Sequence, residues 1–124
     1  MTVVWDTSIV IDVLRGHPAA VSYSRSLPEI PACSEITRVE VIRGIRGAER
    51  AATDRFLDAL LWIPLDEPIA RRAGELGRRW RRSHPGIGTA DLVIAATAEE
   101  LDADLVTINV RHFPMFSDIR PPYP

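Results

Sequence analysis

The stretch "VVWDTSIVIDVLRG" runs from Val3 to Gly16. It opens as a compact apolar run rich in β-branched and aromatic residues, the composition of a buried strand over residues 2–6. From Ile9 the pattern changes: Ile9, Val10, Val13 and Leu14 recur at helical spacing, and Gly16 stops the helix. A strand that passes straight into a helix is the first half of a β-α-β unit. The seam is a carboxylate, Asp6, followed by two hydroxyl residues, Thr7 and Ser8. In open parallel sheets ligands bind beyond the carboxyl ends of the strands, where Asp6 falls. The competing role is helix capping, for which Thr7 and Ser8 are also suited.

The rest of the chain repeats the alternation. His17-Pro18 opens a second short helix to about Ser26, and Pro28 and Pro31 bracket the turn before a strand near Ile30 to Cys33. Ser34 suits the N-cap of a helix from about Glu35 to Ala48, and a further helix spans about Arg50 to Leu61. Leu61 to Leu65 reads as an edge strand, because Pro64 cannot donate to a central ladder. Asp66 caps an arginine-rich helix to about Arg82, "SHPGIG" is a loop, and a helix from Thr89 to Leu101 precedes a strand from Asp104 to Ile108. One more short strand or turn is expected near Ile119, and the final "PPYP" reads as an extended tail. The pattern implies an α/β fold, a parallel sheet covered by helices, in a single domain over residues 1–124.

With 46% hydrophobic and 26% charged residues, the 124-residue chain has the balance of a soluble globular protein. No apolar run approaches the roughly 20 residues of a membrane span, and the start "MTVVWD" lacks the features of a signal peptide. The single cysteine, Cys33, cannot form an internal disulfide, which points to the cytoplasm. Net charge is −2, so the overall balance does not announce a nucleic-acid binder. All 15 basic residues are arginine, however, and six lie between Arg71 and Arg82. Those six are either a phosphate-binding stripe or a solvated helix face.

Three acids occupy positions that solvated acids rarely take. On a helix, the neighbours of Glu40 at i−4, i+4 and i+7 are Ile36, Gly44 and Gly47, an apolar or small face. Asp91 faces Ile94, Ala95 and Ala98 in the same way, although its place in a first helical turn also favours negative charge. Asp6, Glu40 and Asp91 can all reach one end of the sheet. Carboxylates that converge need a counter-charge, and hard oxygen donors suit Mg²⁺ or Mn²⁺. Zinc is not supported, since Cys33, His17, His84 and His112 are scattered without ligand spacing.

Four stretches, "VWDTSIVIDVLRG", "ITRVEVIRG", "GTADLVIAATA" and "LVTINVRHF", together resemble the PIN-domain ribonucleases, specifically the VapC-type toxins of type II toxin–antitoxin pairs. They match in order and spacing over nearly the whole chain. The resemblance implies a three-layer α/β/α sandwich with a mainly parallel central sheet, and a Mg²⁺- or Mn²⁺-dependent endoribonuclease. It puts the family's acids on Asp6, Glu40 and Asp91, as metal-holding and catalytic residues. The family's fourth position falls on Asn109, an amide instead of an acid, and His112 stands where many relatives carry an aspartate. Thr107 is expected to shape the site, and Asp12 to support it from a distance or to play a structural role. Arg15, Arg43, Arg46 and the Arg71–Arg82 helix are candidates for phosphate contact. The implied partners are an RNA substrate, a cognate VapB-type antitoxin covering the acidic site, and a second copy of the chain in a homodimer; no membrane is involved. The alternative is a PIN-like RNA- or protein-binding module without cleavage. A phosphoacceptor receiver domain is disfavoured, because Asp6 stands alone and the chain has no lysine.

Overall fold

β1 (Val3–Trp5) passes through one residue, Asp6, into α1 (Thr7–Leu14), as the opening stretch requires. The computed structural model describes residues 2–124; Met1 lies outside the described residues. After α1 come α2 (Pro18–Ser26), β2 (Ala32–Ser34), α3 (Glu35–Gly44), α4 (Arg50–Asp58), β3 (Leu61–Ile63), α5 (Glu67–Trp80), α6 (Thr89–Glu100) and β4 (Asp104–Val106). The strands form one sheet in the order β3-β2-β1-β4, every pair parallel, with Val4 level with Ala32 and Leu105 and Cys33 level with Trp62.

The pleat separates two cores. Val4, Ala32 and Leu105 face α5 and α6, where Ile69, Leu76, Ile94 and Phe113 complete the packing. Trp5 and Cys33 face the other way, against Ile9 and Val10 of α1, Val41 of α3 and Leu57 of α4. The result is the expected α/β/α sandwich. Residues 92–98 of α6 are buried without a break, which marks it as a helix enclosed on all sides.

Local chemistry explains most boundaries. Ser34 accepts from the Ile36 amide at 3.2 Å and Asp66 from the Ile69 amide at 3.1 Å, so both are working N-caps. His17 caps α2 through Nδ1, at 3.3 Å from the Ala20 amide. α1 closes in a Schellman motif: Gly16 (φ 74°) and His17 donate to Val13 and Asp12. β3 is an edge strand as expected, with only β2 beside it, but it stops at Ile63, so Pro64 ends the strand instead of lying within it.

Three expectations need correction. α3 stops at Gly44, and a separate 3₁₀ turn (Gly47–Glu49) follows; two glycines within four residues make a continuous helix costly. β4 ends at Val106, because Thr107 turns its hydroxyl toward Asp6. Near Ile119 the chain forms a turn at residues 117–118, one of the two forms expected there, but the "PPYP" tail is not free. Tyr123 is 8% exposed, belongs to the α1-side core, and donates its hydroxyl to Asp12 Oδ2 at 2.8 Å.

Candidate active site

In the order β3-β2-β1-β4 the strands are added to one side of β1 and then, with β4, to the other, so a crevice opens beyond the carboxyl ends of β1 and β4. Asp6 and Thr107 are the first residues past those two strands. The Asp6 amide still donates to Val106 at 2.9 Å, which holds it against β4. Asp6 takes the N-cap position of α1, yet its side chain caps nothing. Instead Oδ2 accepts from Ser8 Oγ and Thr107 Oγ1, each at 2.7 Å. Thr107 Oγ1 in turn accepts the Asn109 amide at 2.9 Å. A carboxylate only 3% exposed is thus held through one oxygen, and Oδ1 has no hydrogen bond among the described residues.

Glu40 reaches the same region from α3, which packs on α1 and α6. Its Oε1 accepts from Thr7 Oγ1 at 2.6 Å. Thr7 has a single hydroxyl proton, so the 2.9 Å contact between Thr7 and Thr37 must be donated by Thr37. Thr7 and Ser8 therefore both orient carboxylates, and neither caps α1. Glu40 Oε2 meets only the exposed Arg43, at 3.6 Å.

Asp91 sits in the first turn of α6. Its Oδ2 accepts the Gly88 amide at 3.0 Å and lies 3.4 Å from His112 Nδ1. Burial raises its pKa, the Gly88 amide and His112 pull it back down, and the charges of Asp6 and Glu40 raise it again. Asp91 thus lies close enough to Asp6 and Glu40 to feel both charges, and each of the three acids is hydrogen-bonded through one oxygen.

Of the other residues singled out in the sequence, Asn109 is exposed and joins the network through its backbone amide. Asp12 serves the tail through Tyr123, with no link to the acids. His112, at the position where the resemblance puts an aspartate in many relatives, meets Asp91 across the α6–β4 crossover.

The donor set is entirely hard oxygen, which matches Mg²⁺ or Mn²⁺. Among the described residues no group of three or more His, Cys, Asp or Glu side chains is close enough to hold an ion by direct contact. The fit is therefore to an ion that keeps part of its water shell, the normal habit of Mg²⁺.

The PIN domain model matches residues 3–115. The chain belongs to the PIN-domain family. Its relatives there are VapC proteins: ribonuclease VapC19 of Mycobacterium tuberculosis is 50% identical over 95% of this chain and 97% of its own. Ribonuclease VapC10 of the same organism is 45% identical, covering 95% and 90%. Among solved structures, a toxin–antitoxin complex from Klebsiella pneumoniae superposes with a TM-score of 0.84 at 27% identity over 98% of both chains. VapBC-1 from nontypeable Haemophilus influenzae gives 0.76 at 28% identity, covering 97% and 96%.

Proposed function

We propose that this protein is a Mg²⁺- or Mn²⁺-dependent endoribonuclease, the toxin of a toxin–antitoxin pair. It acts as one domain over residues 1–124, as a homodimer, in the cytoplasm. The observation that carries the proposal is the trio Asp6, Glu40 and Asp91, each anchored by one oxygen at the switch point of a parallel sheet. Asp6, Glu40 and Asp91 would hold the divalent cation, partly through water, and when bound it would offset the charge of the phosphodiester and lower the pKa of a water.

The chain's own groups do the positioning. Ser8 and Thr107 fix the Asp6 carboxylate, so it does not have to reorganise when substrate arrives. Thr7, itself held by Thr37, fixes Glu40. Gly88 and His112 steer Asp91 Oδ2, and its other oxygen stays available. Asn109, on the rim, offers an amide carbonyl where a fourth acid would add charge. The buried walls around Asp6 keep bulk water from screening these charges.

The inhibitor's segment is assigned to the cavity of about 560 Å³ between α1, α3 and α4. Glu40 lines it, together with apolar Ile11, Leu14 and Val41 and the basic Arg15 and Arg46. A cationic side chain of the antitoxin reaching Glu40 from this cavity would pair with one of the three acids and compete with a cation there.

The test is cleavage of structured cellular RNAs by the antitoxin-free protein with Mg²⁺ or Mn²⁺ and with EDTA, beside Asp6→Asn and Asp91→Asn. Discrete fragments that require the ion and vanish in both variants support the enzyme. Binding of RNA without cleavage by folded wild type supports the non-cleaving module instead.

A further inference from the structure

The stretch "RRWRRSH", Arg78–His84, closes α5 and enters the turn to α6. Arg71 and Arg72, earlier on the helix, are neutralised by Glu67 and by Glu99 with Glu100. Arg78, Arg79, Arg81 and Arg82 are exposed, and none has an ion pair among the described residues. No acid occurs between Glu75 and Asp91. The negative end of the helix macrodipole favours one or two cations in a last turn, by about 0.3–1 kcal/mol each. It does not by itself call for four within five residues, and an anion lying across them would relieve their mutual repulsion.

The arginines close the helix that leads, through one turn, into the helix carrying Asp91. A Cβ on Gly77 would lie 3.1 Å from Leu92 Cδ1 and 3.9 Å from Arg81 Cδ, so the Arg81 stem and the residue after Asp91 flank the same point of α5. The intervening turn is compact: His84 donates to Trp80 at 2.9 Å, Ile87 to His84 at 3.1 Å, and Gly88 to Asp91 at 3.0 Å. Arg78, Arg81 and Arg82 share one helical face by their i, i+3, i+4 spacing. The Arg79 guanidinium lies 5.2 Å from the centre of the partly exposed Trp80 ring. Guanidinium forks suit phosphates, and arginine with an aromatic neighbour also offers planes on which unpaired bases stack.

We infer that Arg78, Arg79, Arg81 and Arg82 form the surface that grips the backbone of single-stranded RNA as it enters the Asp91 side of the site. The inference rests on the ribonuclease reading and adds where the substrate lies. It predicts that RNA runs across the α5–α6 turn, with Arg71 and Arg72 outside the track.

The test is fluorescence anisotropy with a labelled single-stranded RNA of mixed sequence, about 20 nucleotides long. Asp91→Asn serves as background, so that binding is read without cleavage. Each phosphate contact contributes about 0.7 to the slope of log affinity against log salt for single strands. Replacing all four arginines with glutamine should flatten that slope by about 3, while Arg71→Gln with Arg72→Gln should change it by less than about 1. All four side chains are exposed, so the thermal melt of the variant should match the background. Equal slopes and affinities, alongside RNA cleavage by wild type, overturn the surface and leave the enzyme standing. Unchanged RNA binding with lost antitoxin binding assigns the patch to the protein partner and also overturns it. Neither binding nor cleavage of any RNA by wild type removes the ribonuclease reading itself.

Discussion

Tyr123 gives the sharpest stability prediction, because the chain's last residues look dispensable in sequence and are docked in the structure. Its hydroxyl donates to Asp12 Oδ2 at 2.8 Å, and its ring lies 5.4 Å from His17 and 6.1 Å from Tyr23. Tyr123→Phe removes only the hydrogen bond. A bond to a charged acceptor is worth about 1.5–3 kcal/mol, and Asp12 is only partly buried and can rehydrate, so about 1–1.5 kcal/mol is expected. Tyr123→Ala also removes the ring from the α1-side core, and large aromatic-to-alanine changes cost about 3–5 kcal/mol. Urea unfolding followed by circular dichroism reads both. With a slope of about 2 kcal/mol per molar, the midpoint should fall by about 0.6 M for the phenylalanine variant and about 2 M for the alanine variant. A double-mutant cycle with Asp12→Asn should recover most of the Tyr123→Phe loss as coupling. An alanine variant whose midpoint moves by less than about 0.5 M would refute the docked tail.

Thr107→Val removes one of the two donors to a buried carboxylate; loss of about 1–3 kcal/mol of stability and a 10- to 100-fold weaker Mn²⁺ affinity are expected, by melting and by titration. Asp91→Asn should abolish RNA cleavage and raise the melting temperature near pH 7. Asp91 has its pKa raised in the fold, so its favourable contribution is complete only below the unfolded value and is lost as pH rises through the folded one; the gain should shrink toward pH 4. Asp102 occupies the left-handed region (φ 50°) at the end of α6, so Asp102→Gly should stabilise by about 1 kcal/mol in urea unfolding. Burial pushes the Cys33 thiol up to about 12, so it should resist alkylation in the native state, and stability should fall as pH climbs from about 9, where an unfolded thiol ionises, toward 12.

What could be read from the sequence follows from how local its cause is. Ser34 and Asp66 announce their helices because a cap bonds an amide two or three residues on. Pro64 follows the last residue of β3 and cannot extend its ladder, and strand–helix alternation gives the parallel sandwich. The sheet end at which Asp6 lies follows from the same alternation. The oxygens of Asp6 are another matter, since Thr107 is 101 residues away and becomes a neighbour only when β4 joins β1. His112 reaches Asp91 across the same crossover, and Tyr123 reaches Asp12 over a separation of 111 residues. "PPYP" has no periodicity, so its docking has no local signature.

The central claim is that Asp6, Glu40 and Asp91 hold a divalent cation at the switch point of the sheet. Anomalous diffraction from crystals soaked in manganese tests it directly. The account predicts one strong peak bordered by the three carboxylates, absent in Asp6→Asn. Well-ordered carboxylates with no peak between them at several millimolar manganese, or a peak held by other residues alone, would contradict it.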